Sequence, residues 1–148
     1  MTDTAAASRP LQALWGALCA GGLAALVVLV ALAVTQEDPT MADRADAAFY
    51  GCAVYGVVAL ALAFWLLHRM EGQLMAAPSD AAALAVVRTH GVAAMAAVES
   101  SAVLAGVAAF LTGNLLAVAF GVPLVAFTAL TWPSADRVAG WLSLRDRR

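Results

Sequence analysis

From Leu11 to Val34 the chain runs 24 residues with a single polar side chain, Gln12. About 20 apolar residues in a helix cross the ~30 Å hydrocarbon core of a bilayer. Backbone groups in that core have no water to bond, so a segment of this kind must be helical. The run is too long for the apolar part of a cleaved signal, and no small-residue cleavage site follows it. Gly16, Ala17, Ala20, Gly21 and Gly22 give it a smooth face suited to close helix packing.

Three further apolar runs follow, at about 47–67, 90–111 and 115–132, and with the first, at about 11–34, they predict four membrane spans. Composition agrees: 64% of residues are hydrophobic and 12% charged, and the mean hydropathy is +0.86, which places the chain outside the range of soluble domains. With 148 residues, four spans leave room for one integral membrane domain, 1–148. Phe49, Tyr50 and Trp65 stand near the two ends of the second run, as aromatic residues do at membrane interfaces. Ser79 or Asp80 can cap a third helix that starts before the membrane proper. Thr112, Gly113 and Asn114 supply a tight turn, and Pro123 falls inside the fourth run, where it frees a carbonyl. The tail from about 134 to 146 sets Val138, Trp141, Leu142 and Leu144 among arginines, the pattern of an amphipathic helix on the membrane surface. The fold class expected is all-α: a transmembrane four-helix bundle of two antiparallel hairpins with a C-terminal interfacial helix.

Orientation follows from the arginines. Arg9, Arg69, Arg88, Arg137, Arg145, Arg147 and Arg148 fall on one side of the spans and Arg44 alone on the other. The positive-inside rule then places both termini in the cytoplasm, with the chain in a bacterial inner membrane. No basic patch interleaved with aromatics points to nucleic acid. Cys19 and Cys52 lie at different depths, which argues against a disulfide, and no cluster of metal-ligand type is present. No cofactor is expected. A haem held by His68 and His90 is conceivable, but solvated interfacial histidines are the commoner case. Ser100 and Ser101 have no histidine at matching depth, so the residues do not assemble an enzyme's nucleophile, base and orienting group.

The residue that demands a function is Glu99, one carboxylate near the middle of the run from Val92 to Leu111. A charge there costs about 3 kcal/mol on insertion scales, and such residues face the bundle interior or a cavity and mark ion or proton paths. Distance from a cation favours the neutral acid. Counting outward from a turn centred between Gly113 and Asn114 puts Thr128 level with Glu99, Tyr55 lies within about two turns, and Ser100 is adjacent. Glu99, Thr128, Tyr55 and Ser100 are therefore the candidate ion-binding residues. The competing account makes Glu99, with its neighbouring hydroxyls, hydrogen-bond glue between helices in a passive accessory subunit.

The run ESSAVLAGVAAFL, Glu99 to Leu111, resembles the carboxylate-bearing helix of proteolipid subunits in rotary ATPase rings. That likeness implies a protein that self-associates or joins other membrane subunits and binds a proton or monovalent cation at Glu99. The longer stretch from Arg88 to Pro133 resembles a set of small uncharacterised bacterial four-span membrane proteins, a likeness that implies no activity. Small multidrug transporters also combine four spans with one intramembrane glutamate, but they carry it in the first span.

Overall fold

The computed structural model describes residues 4–145, most of them in helices. The helices are α1 (Thr4–Thr35), α2 (Ala45–Ala76), α3 (Asp80–Thr112), α4 (Val122–Thr131) and α5 (Ala135–Arg145). Short 3-10 segments at Ala42–Arg44 and Leu115–Gly121 join them. Helices at Ala6–Thr35, Ala42–Ala76 and Asp80–Thr112 are long and apolar enough to cross a membrane. That is the character of a small integral membrane protein. The return leg, Leu115–Thr131 with Ala135–Leu144, is bent by 71° and counts as a fourth crossing only when taken as one broken span.

What distinguishes inside from outside is size rather than polarity. Ala63, Ala83, Ala94, Ala102, Ala105 and Ala109 are fully buried. The large apolar side chains of Val27, Val54, Val57 and Leu116 are 65% to 72% exposed. Lipid tails are as apolar as leucine, so nothing drives the large residues inward, while small ones let backbones approach and gain dispersion contacts. α3 is the central helix, and α1 and α2 pack far more on it than on each other. Close approach is visible at Gly106, where an added Cβ would lie 2.9 Å from Leu29 Cδ1, and at Gly121, where it would lie 2.6 Å from Leu26 Cδ2.

Several boundaries differ from those expected. α1 starts at Thr4 rather than Leu11 and carries Pro10 inside it. α2 runs on to Ala76, because no breaker occurs before Pro78, and the connection to α3 shrinks to Ala77–Ser79. Ser79 does cap α3, its hydroxyl accepting from the Ala82 amide at 3.2 Å. Ala17, Ala20 and Gly21 of the small face on α1 are exposed, whereas Gly22 is buried. Both cysteines are free thiols.

The fourth run is not one α-helix. Asn114 opens a 3-10 segment, its carbonyl accepting from the Ala117 amide at 3.2 Å and its side chain from the Leu116 amide at 3.1 Å. α4 begins only at Val122, with Pro123 in its first turn, where a missing N–H costs nothing. At about 2.0 Å per residue in the 3-10 part and 1.5 Å in the α part, 17 residues reach about 29 Å. The tighter winding thus carries the segment farther than 17 α-helical residues would reach.

α5 forms as expected, but its apolar side is occupied by protein, with Val138 fully buried and Leu142 at 9% exposure. Gln12 Nε2 donates to the Pro133 carbonyl at 3.1 Å, and the Arg137 guanidinium donates to the Leu130 carbonyl. These bonds satisfy carbonyls left open where α4 breaks at Pro133. Arg147 and Arg148, counted in the orientation argument, lie outside the described residues.

At the opposite end, Gly113 closes α3 in the left-handed conformation with φ of 71°. A Cβ there would lie 2.8 Å from Pro39 Cγ. Strain in φ and crowding act together, so Gly113→Ala is expected to lower stability by about 2 kcal/mol. Thermal unfolding in mild detergent measures it, and an unchanged midpoint would contradict this account of the turn.

Candidate functional site

Glu99 sits about 20 Å along α3 from its Thr112 end, at roughly 1.5 Å per residue, well inside the bundle's length. Its carboxylate is half-buried and reaches the edge of α1, where a Cβ on Gly21 would lie 3.3 Å from Oε1. Glycine at that position lets the carboxylate tuck against the α1 backbone. On the other side the carboxylate faces a groove floored by α3 and walled by α2, lined by Tyr55, Ala96, Glu99, Ser100, Val103 and Val107, with a volume of about 550 Å³. A second cavity of about 430 Å³ shares Tyr55, Leu104 and Val107 with it and runs on to Gly51, Cys52 and Arg44. The two adjoin along α3, and both are open to the outside of the bundle.

Two of the expected partners come together, though on each other. The Tyr55 hydroxyl is 2.9 Å from Ser100 Oγ. Ser100 Oγ donates to the Ala97 carbonyl at 2.7 Å, so its lone pair accepts the Tyr55 proton. Ser101 likewise donates to Val98 within its own helix at 2.7 Å. Every hydroxyl proton near Glu99 on α2 and α3 is therefore engaged elsewhere. Among the described residues no donor or cation engages the carboxylate, and the ion pair found is Arg44 with Asp43 at 4.0 Å on the exposed loop.

Thr128 does not reach the site. Its hydroxyl lies 3.8 Å from Met95 Sδ, one turn of α3 below Glu99. The extra rise of the 3-10 segment, about 0.5 Å for each of its seven residues, carries the fourth leg past the level that an α-helical count gives. Side-chain bonds between helices among the described residues include Tyr55 with Ser100, the Cys52 thiol with the Leu104 carbonyl at 3.9 Å and, toward the termini, Trp15 Nε1 with Thr131 Oγ1 at 3.4 Å. Glu99 is not among them. His90 Nδ1 is 3.1 Å from the Val86 carbonyl of its own helix, and His68 is exposed.

Sequence reasoning did not find the groove or the part of Gly21. The signal present was the glycine on α1 at a depth near Glu99, which a helical wheel alone could not orient. No family model matches the chain, and neither a curated protein nor a solved structure is significantly similar to it.

Proposed function

We propose that this membrane protein acts through Glu99 as a protonatable, cation-accepting site at mid-membrane, within an assembly of its own copies or with other membrane subunits. The observation that carries this reading is a carboxylate in an apolar groove with every nearby hydroxyl proton already bound elsewhere. An anion so placed lacks solvation, so it holds a proton or recruits a cation. The large exposed apolar faces of α1 and α2 supply surfaces for neighbours in the bilayer. The arginine bias supports cytoplasmic termini and a bacterial inner membrane. The resemblance of Glu99 to Leu111 to proteolipid helices supports the same role. The alternative, a passive accessory subunit with Glu99 as hydrogen-bond glue, has no bond of Glu99 behind it, since Tyr55 with Ser100 and Trp15 with Thr131 tie helices together without it.

The groups around Glu99 are few. α1 offers Gly21, α2 offers Tyr55 and the Cys52 thiol farther along, and Arg44 stands at the distant mouth of the groove. On α3, His90 and Arg88 lie about 14 Å and 16 Å along the axis. A hydrophobic carbodiimide reaching the groove from lipid should modify Glu99 in native membranes, more at acid than at alkaline pH. Glu37 and Asp38 on the exposed loop serve as internal references for the reagent's own pH dependence. Mass mapping that finds the loop acids modified and Glu99 untouched at every pH would overturn the proposal.

A further inference from the structure

At the end of the bundle away from Gly113, all five helices meet around a separate cavity of about 180 Å³. Trp15 of α1 and Gly91 of α3 stand on its buried side, and Leu130 of α4, 65% exposed, brings another wall to the outer surface. Glu71 of α2 and Arg137 of α5 supply opposite charges to the lining. Opposite charges that met would pair, yet among the described residues Glu71 forms neither an ion pair nor a hydrogen bond. Arg137 uses one N–H on the Leu130 carbonyl, and a guanidinium has five to give. The Thr131 hydroxyl, also in the lining, is already engaged, donating to the Phe127 carbonyl and accepting from Trp15. An unpaired anion and a cation with donors to spare thus line one space.

Size and place narrow what fills it. The cavity is smaller than the roughly 300 Å³ at which drug-sized sites begin, so it suits a small charged group. It lies where the apolar run of α2 gives way to His68, Arg69 and Glu71 and where the chain bends before α5, the level of lipid headgroups. Trp141, half-buried in the lining, is a residue type that settles at that level. We infer that the cavity holds the head of a phospholipid of the ethanolamine type, its phosphate on Arg137 and its primary ammonium on Glu71. Both contacts are charge-assisted hydrogen bonds, and the acyl chains run over Leu130 along the outside of the bundle. A choline head has no N–H for Glu71 and adds three methyl groups, while a glycerol head sets a second negative charge beside the carboxylate. This site is distinct from Glu99 and stands whether or not Glu99 exchanges protons.

Native mass spectrometry of the full chain in mild detergent, given equal amounts of ethanolamine, choline and glycerol phospholipids with identical acyl chains, reads the lipid retained. Wild type should keep the ethanolamine lipid on the order of tenfold over either competitor, the effect of one hydrogen bond to a charged group. Glu71→Gln changes an exposed side chain that bonds to nothing in the protein, so it should leave the fold intact and erase that preference. Glu71→Arg sets two cations on the cavity and should turn the preference toward the glycerol lipid. Arg137→Gln should lower retention of all three, since each phosphate loses its partner. Soluble glycerophosphoethanolamine, the same head without chains, should fail to displace the lipid at equal concentration. Displacement would assign the cavity to a soluble solute and overturn the lipid. No preference in wild type, a preference unmoved by both Glu71 variants, or retention unchanged in Arg137→Gln would overturn the inference as well.

Discussion

Adding a single methyl group at Gly91 is expected to loosen the end of the bundle that carries the termini. A Cβ there would fall 1.9 Å from Trp15 Cη2 and 2.4 Å from Cζ2, far inside contact distance. The indole is 1% exposed and packs among Leu11, Met95 and Phe127, and its Nε1 is tied to Thr131, whose own hydroxyl donates to the Phe127 carbonyl at 2.7 Å. A rigid ring held on several sides cannot swing away as a flexible side chain would. Gly91→Ala should therefore cost about 3 kcal/mol, the upper part of the range for overpacking, because displacing the ring also breaks its bond to Thr131. Trp15→Ala should cost a similar amount by leaving a cavity, with no contribution from water exclusion in a lipid-solvated bundle. Combining Gly91→Ala with Trp15→Leu should recover most of the loss, which is the signature of a steric conflict between these two positions. Loss of helicity on titration with denaturing detergent measures all three. A neutral Gly91→Ala, or a double variant no better than the single, would contradict the contact.

That contact shows where sequence reading stopped. The apolar runs, the turn at Gly113 and the Ser79 cap all have local causes, and each was legible from a few adjacent residues. Sidedness was not. In a helix apolar all round, the periodic contrast that marks a buried face in soluble proteins is missing, and only the replacement of large by small residues remains. Thus Trp15 against Gly91, or Gly21 against Glu99, pairs residues more than seventy positions apart with no pattern to announce the match. Depth was legible for Tyr55 and Ser100, which are joined as neighbours across α2 and α3. It failed for Thr128 because counting assumed α-helical rise through Leu115–Gly121, where the chain is wound more tightly and climbs faster. The position of Glu99 in the chain was plain, but its lack of a hydrogen-bond partner emerges only once the neighbouring hydroxyls are seen to be engaged.

The second large effect belongs to Glu99 itself. Glu99→Gln keeps the volume of the side chain and removes its acidity. Since the carboxylate makes no hydrogen bond among the described residues, the substitution should leave stability within about 0.5 kcal/mol of wild type. It should nonetheless abolish carbodiimide modification at this position and every property that depends on proton exchange there. A glue residue behaves the other way: Gln retains function, and the bundle weakens when the side chain is shortened. The Tyr55 and Ser100 pair, which does bridge helices, gives the scale of such weakening, roughly 0.6 kcal/mol for a typical hydrogen bond between membrane helices.

The proposed function requires the Glu99 carboxyl group to gain and lose its proton within the membrane. Infrared pH-difference spectra of the protein in lipid, wild type against Glu99→Gln, test it most directly. The account predicts a protonated-carboxyl C=O band in wild type that gives way to carboxylate absorption as pH rises and is missing from Glu99→Gln. A band from Glu99 that stays unchanged across the accessible pH range, or no band that distinguishes the two proteins, would contradict it.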